Sequence, residues 1–174
     1  MTDVILTDSQ GTPTGTAEII AAHTGVGQLH KAFSIYVFRK NRSEILIQKR
    51  SRKKMLWPGI WANTCCSHPR AGESTQEAGV RRLHEELGFT CDLSEGGTFV
   101  YRSEDPQGRG VEHEHVTILI ADTEEPSVRA NPDEVMEWKW ITVETLQKDM
   151  NVHPDSYAPW FHLGLTHILQ PTHA

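Results

Sequence analysis

The groups able to do chemistry are concentrated in one stretch. Asn63-Thr64-Cys65-Cys66-Ser67-His68-Pro69 sets a thiol two residues before an imidazole, and the carboxylate-rich Arg81-Arg82-Leu83-His84-Glu85-Glu86-Leu87-Gly88 follows shortly after. A thiol, an imidazole and several carboxylates on adjoining elements suit metal-assisted proton transfer. A divided metal site can be read beside them. His23 and His30 lie in a Gly-containing segment, His68 follows the cysteines, and Glu112 and Glu114 stand two apart in an expected strand. Strand side chains repeat every second residue, so the two glutamates face one way. Three imidazoles and two carboxylates suit Mn²⁺ or Mg²⁺ in roughly octahedral geometry, and the nitrogens would also take Zn²⁺. His113 and His115 alternate with the glutamates and belong to the opposite face. His84 is expected to face solvent, and His153, His162, His167 and His173 to be ordinary surface or core residues.

These groups need a scaffold, and its elements can be read from pattern. Val4-Ile5-Leu6 predicts a short strand ended by the turn-rich Asp8-Ser9-Gln10-Gly11-Thr12-Pro13. Ala32–Phe38 and Glu44–Gln48 are β-rich runs split by polar residues, which predicts a hairpin. Ser74 and Glu77 have capping-box spacing, Val80, Leu83 and Leu87 form one apolar stripe, and Gly88 supplies the stop of a central helix. Strands are expected around Gly97–Arg102, Val111–Ala121 and Val135–Ile141, then helices over about 143–150 and 157–169. This order predicts an α+β fold, a mixed β-sheet flanked by helices.

Composition narrows the function. A length of 174 residues predicts one domain spanning 1–174. No window approaches the roughly 18 apolar residues of a membrane span, and the N-terminus lacks the features of a signal peptide, so a cytoplasmic protein without membrane association is expected. A formal charge of -6 argues against nucleic acid as a partner. Three cysteines, two of them adjacent, make no disulfide framework. Lys49, Arg50, Arg52, Lys53 and Lys54 crowd together just before Trp57-Pro58-Gly59, a local basic cluster suited either to a small anionic ligand or to a solvated loop. No coiled coil or long apolar face demands a partner chain, and a monomer is expected.

Aligned on Gly88, the central segment resembles the Nudix box: Glu73, Arg81, Leu83, Glu85, Glu86, Gly88 and Phe89 occupy its Glu, Arg, apolar, Glu-Glu, Gly and apolar positions. Ser67 stands where the hydrolase box has its first Gly, and Arg82 replaces the Glu after Arg81. Losing that carboxylate speaks against hydrolysis. Trp57-Pro58-Gly59, Trp61 to Pro69, Glu112-His113-Glu114 and Ala158-Pro159-Trp160 resemble the type I isopentenyl-diphosphate Δ-isomerases, a branch of the Nudix fold. Pro13-Thr14-Gly15, Ala21-Ala22-His23-Thr24 and Asp133-Glu134-Val135-Met136 extend the resemblance over about residues 4 to 161.

The resemblance implies a Nudix-like fold and roles for named residues. Cys66 would be the catalytic thiol with Cys65 a buried companion, Glu114 both metal ligand and acid/base, and Tyr101 a nearby proton relay. His23, His30, His68, Glu112 and Glu114 would hold the first metal, and Glu86 a Mg²⁺ that grips the substrate's diphosphate. Arg50 and Lys54 match the family's basic residues, and Arg82 and Ser67 are added as candidate diphosphate contacts. The face of Trp160 would shelter a carbocation-like state, a role compatible with packing the terminal helix. Ile19 stands where relatives often carry Lys, which leaves a diphosphate contact missing or supplied by Lys31 or Arg52. Two alternatives remain at this point: a Nudix diphosphate hydrolase, and a diphosphate-binding module without turnover.

Overall fold

The computed structural model describes residues 2–170, so His173 and the two ends of the expected 1–174 domain lie outside the described residues. Its spine is β3 (His30–Arg39), which is buried along almost its whole length. Such a strand must be covered on both faces, and its near-continuous apolar run reflects that. It pairs in parallel with β8 (Val111–Asp122) from His30↔Glu114 to Phe38↔Asp122. On its other edge it pairs antiparallel with β6 (Cys65–Ser67), through Phe33↔Ser67, Ser34↔Cys66 and Ile35↔Cys65.

The remaining strands extend this sheet. β1 (Asp3–Thr7) pairs with β2 (Pro13–Glu18) and touches β3 at Leu6↔His30. β4 (Glu44–Arg50) meets β3 only at Phe38↔Ile45 and Arg39↔Glu44, then leaves it to pair with β5 (Trp61–Ala62) and β9 (Val135–Thr142). The predicted hairpin is present, but it splays open, and β6 fills the space. β7 (Ser94–Glu104) completes the other side against β8.

Alternation along β3 divides the core. Phe33, Ile35 and Val37 pack with Leu83 and Leu87 of α2 (Thr75–Leu87). Ala32, Tyr36 and Phe38 pack on the opposite face with Trp160, Phe161 and Leu165 of α4 (Pro159–Leu169). α2 has the expected ends: the Ser74–Glu77 capping box is closed in both directions, and Gly88 adopts φ 73°. α3 (Val143–Val152) and α4 also fall where expected. β2 and the one-turn α1 (Ile19–Ala22), capped by the Glu18 carboxylate, carry little periodicity and go unpredicted. The architecture is a mixed sheet with helices on both faces, the predicted α+β class. Among the described residues no helix is long and apolar enough to cross a membrane.

Candidate active site

The face of the sheet that carries α4 also carries the site. Cys66 lies opposite Ser34, and Glu114 lies beside His30, so even-numbered β3 neighbours bring both to this face. β6 and β8 flank β3 on opposite edges, which separates Cys66 and Glu114 by about two strand spacings, roughly 10 Å, across the sheet, and by four β3 residues along it. Cys65 points the other way, fully buried under α2. His113 also points away, with its Nδ1 3.2 Å from the Gly27 carbonyl, and the His115 ring packs near Gly11.

Five expected metal ligands converge. His23 ends α1, His30 begins β3, His68 follows β6, and Glu112 and Glu114 project from β8. One ligand atom from each lies within 4.8 Å of all the others. The tautomers explain what these atoms offer. His23 Nδ1 donates to the Ile19 carbonyl and His30 Nδ1 to the Gln28 carbonyl, both at 2.7 Å. Carbonyls only accept, so in the neutral rings Nε2 of each presents a lone pair to the cluster. His30 Nε2 and His68 Nε2 stand 3.1 Å apart, and His68 Nε2 is 2.9 Å from Glu114 Oε1. Glu112 Oε2 lies 3.3 Å from His23 Nε2 but outside hydrogen-bond geometry, a buried acceptor without a partner among the described residues. Lone pairs and carboxylates gathered out of water are stabilised by positive charge, and this donor set could hold a divalent metal.

Electrostatics reflect that crowding. Burial and the Glu114 carboxylate push the Glu112 carboxyl up. Burial opposes charge on His23, but the Glu112 carboxylate prevails and raises it to about 9. Burial lowers His68 to about 4 against the pull of Glu114. Glu114 is buried too, yet the close approach of the His30 and His68 rings holds it well below the usual carboxylate range.

The cluster opens on a cavity of about 460 Å³ whose wall includes Cys66, Ser67, Tyr101 and Trp160. Tyr101 pairs with Glu114 across the β7–β8 ladder, and its hydroxyl donates to Glu114 Oε2 at 3.1 Å. Burial, reinforced by Glu114, keeps that phenol protonated. Burial likewise pushes the Cys66 thiol up to about 12, with Arg50 opposing. Arg50 Nη1 lies 4.0 Å from Cys66 Sγ, and the guanidinium sits 5.1 Å from the Trp160 ring centre. Its other nitrogens donate to the Trp57 and Leu56 carbonyls at 3.1 and 2.9 Å.

Two residues to which sequence reasoning gave no role hold this wall. The Asn63 carbonyl oxygen accepts from Trp160 Nε1 at 3.0 Å, while its amide nitrogen donates to the Ile35 and Cys65 carbonyls. Asp105 accepts the Trp57 N–H at 2.8 Å and is itself gripped by Arg109. Trp57 adopts φ 44°, a left-handed backbone unusual for a bulky residue, so the buried Asp105 carboxylate fixes a costly turn.

Away from the metal cluster, the cavity wall is built from Lys54, Arg82 and Glu134, with the almost fully buried Glu86 behind them. Arg82 Nη2 donates to Glu86 Oε1 at 2.6 Å and lies 3.1 Å from Glu134 Oε1. Lys54 pairs with Glu134 and lies 3.7 Å from Glu86. Gln48 donates to Glu86 Oε2 at 2.9 Å, so both oxygens of Glu86 are engaged within the protein. Glu134 is a third residue to which sequence reasoning gave no role, although it stands in a matched motif. Ile19 lines the cavity with no charge, and neither Lys31 nor Arg52 is in its wall, whereas Arg70 is. His84 is exposed, as expected.

A NUDIX domain family model matches residues 28–161. The chain is 40% identical over 163 residues to a protein of Halorhodospira halophila named isopentenyl-diphosphate Delta-isomerase, covering 92% of this chain and 91% of the relative. A protein of the same name from Aliivibrio fischeri is 41% identical over 177 residues, covering 96% and 97%. Among solved structures, DR0079 from Deinococcus radiodurans gives a TM-score of 0.75 at 16% identity over 97% of this chain and 99% of that one. A MutT protein from Methanosarcina mazei Go1 gives 0.63 at 15% identity over 80% and 92%. At such identities the structural likeness speaks for the fold alone.

Proposed function

The chain belongs to the NUDIX domain family and, within it, to the isopentenyl-diphosphate Delta-isomerases, and on that premise we propose how its own residues carry the reaction. It is a metal-dependent isomerase that interconverts isopentenyl diphosphate and dimethylallyl diphosphate, a step of isoprenoid synthesis. Moving the double bond adds a proton at one carbon and removes one two carbons away, through a state with tertiary-carbocation character. One acid and one base must therefore flank the hydrocarbon.

The observation that carries the assignment is the placing of Cys66 and Glu114 on one face of the sheet, in one cavity, from opposite edges of β3. Cys66 enters as a neutral thiol able to donate, and Glu114 as a carboxylate able to accept. Running the reaction in both directions uses each group as donor and acceptor in turn. Tyr101, hydrogen-bonded to Glu114, fixes the carboxylate and relays its proton. The indole of Trp160, anchored by Asn63, walls the carbon skeleton from water and offers its π-face to positive charge.

Affinity falls to the charged end, because a five-carbon chain at about 0.8 kcal/mol per buried CH₂ contributes only a few kcal/mol. Arg50, Lys54, Arg82 and Ser67 are our candidates for diphosphate contacts, with Lys54 and Arg82 turning from Glu86 as the substrate arrives. Mn²⁺ or Mg²⁺ at the His23, His30, His68, Glu112 and Glu114 set, with Zn²⁺ a third choice, would supply fixed positive charge that tunes Glu114, and Mg²⁺ at Glu86 would supply charge for the diphosphate. A single-domain enzyme acting as a monomer accords with a chain of 174 residues that has no coiled coil or long apolar face demanding a partner. A reducing, cytoplasmic setting matches its three free cysteines, and its formal charge of -6 supports the absence of a nucleic-acid partner.

The test is incubation with isopentenyl diphosphate and Mg²⁺ in deuterated water, followed by NMR. Deuterated dimethylallyl diphosphate is expected, with the rate reduced by about 10² to 10⁴ in Cys66→Ala and Glu114→Gln. Released phosphate would favour a hydrolase instead. Intact substrate despite binding would leave a module without turnover.

A further inference from the structure

Five cationic side chains line the cavity: Arg50, Lys54, Arg70, Arg81 and Arg82. Four of them are committed within the protein. Arg50 holds two backbone carbonyls, Lys54 pairs with Glu134, Arg81 with Glu73, and Arg82 with Glu85 and Glu86. Arg70 alone differs: it is exposed, and among the described residues its guanidinium makes no ion pair or hydrogen bond. Its backbone is nevertheless rigid. The Arg70 N–H donates to Glu73 Oε2 at 2.9 Å, and the Glu73 N–H returns to the Arg70 carbonyl at 3.0 Å. Glu73 is clamped in turn by Arg81 at 2.7 and 2.9 Å, and the preceding Pro69 is buried with a fixed φ.

A stiff turn therefore carries an uncommitted guanidinium at the cavity rim, beside Ser67 and His68. We propose that Arg70 closes on the outer, terminal phosphate of the substrate and is a determinant of diphosphate affinity. The identity of the ligand rests on the isomerase reading. If the hydrocarbon reaches inward to Cys66 and Glu114, the terminal phosphate is the part left nearest the mouth. A planar guanidinium suits two phosphate oxygens at once, and Arg70 has no carboxylate to give up first. Ile19, in the same wall, adds no charge. In this account the Glu73–Arg81 pair is a positioning device that aims Arg70.

Calorimetric titration of the Mg²⁺-supplemented protein with inorganic diphosphate tests the assignment directly. Arg70→Gln is expected to weaken binding about tenfold, with Arg70→Lys recovering part of the loss. The KM for isopentenyl diphosphate should rise by a similar factor, kcat should fall far less, and the thermal midpoint should stay within about 1 °C because an exposed side chain is removed. Diphosphate binding within about twofold of the parent in Arg70→Gln would overturn the proposal. A parent protein that binds diphosphate but forms no dimethylallyl diphosphate would sink the isomerase reading. The Arg70 assignment would still be decided by the titration.

Discussion

At one end of the cavity three imidazole nitrogens and two carboxylates converge with few protons among them; at the other, Glu86 and Glu134 are matched by Lys54 and Arg82. The first end contains two histidine rings with 3.1 Å between their Nε2 atoms and a carboxylate oxygen without a hydrogen-bond partner among the described residues. The second is a closed quartet in which Arg82 and Lys54 each reach both carboxylates. The contrast separates two ways of preparing for a ligand. A site built for a resident metal leaves lone pairs convergent and under-satisfied. A site built for a substrate that comes and goes neutralises itself and exchanges partners when the substrate arrives.

That contrast can be broken by stability measurements on chelator-treated protein. Glu86→Gln removes a nearly fully buried charge that neutralises Arg82, and it is expected to cost about 3 kcal/mol. Glu112→Gln removes a carboxylate whose attraction for His23 is offset by its burial and by crowding from Glu114, and is expected to cost less, about 1 kcal/mol. Equal losses in urea unfolding would erase the distinction. Adding Mn²⁺ should reverse the order, raising the midpoint of the parent and of Glu86→Gln but far less that of Glu112→Gln.

A somewhat smaller effect should come from Asp105, which supports the substrate end from outside it. Asp105→Ala frees the N–H of Trp57 in its left-handed turn, and with it the carbonyls that hold Arg50. About 2 kcal/mol of stability should be lost, with kcat falling more than the metal affinity. A fall in Mn²⁺ affinity as large as the fall in kcat would show that the two ends are not independently built.

The two ends were also unequally legible in the sequence. Metal ligation restricts residue type, and strand alternation restricts spacing, so His23, His30, His68, Glu112 and Glu114 could be grouped before any fold was known. α2 was legible because its capping box and Gly88 are local. Cys66 and Cys65 could be assigned different roles from the resemblance, and the register of β6 supplies the physical reason, one thiol on each face of the sheet. Asp105 was invisible, and Asn63 stood in a matched motif without a role, because their partners are remote: Trp160 is 97 positions from Asn63, and Trp57 is 48 from Asp105. Glu134 lay in a matched motif without a role, since a counter-ion is defined only by the cations it meets. Lys31 and Arg52 were reasonable substitutes for a missing cation by charge, but their backbone positions carry them away from the cavity wall, and the rim position falls to Arg70.

The smallest expected effect concerns the clamp beneath Arg70, which extends the comparison to the edge of the substrate end. Arg81 donates to both oxygens of Glu73, and this holds the Glu73 carboxyl at about 2, below its ordinary 4.5. Because the folded value lies below the unfolded one, the ion pair stabilises fully above pH 4.5 and is lost as the pH falls from there toward 2. Both side chains are partly exposed, so solvent screening reduces the benefit to the order of 1 kcal/mol. Urea unfolding of the parent and of Glu73→Gln should therefore differ by that amount at neutral pH, with the gap narrowing as the pH falls below 4.5. A gap unchanged by acid would mean that Glu73 acts through its hydrogen bond to the Arg70 backbone rather than through its charge. The clamp would then be a turn brace, and the prebuilt character of the substrate end would rest on Glu86 and Asp105 alone.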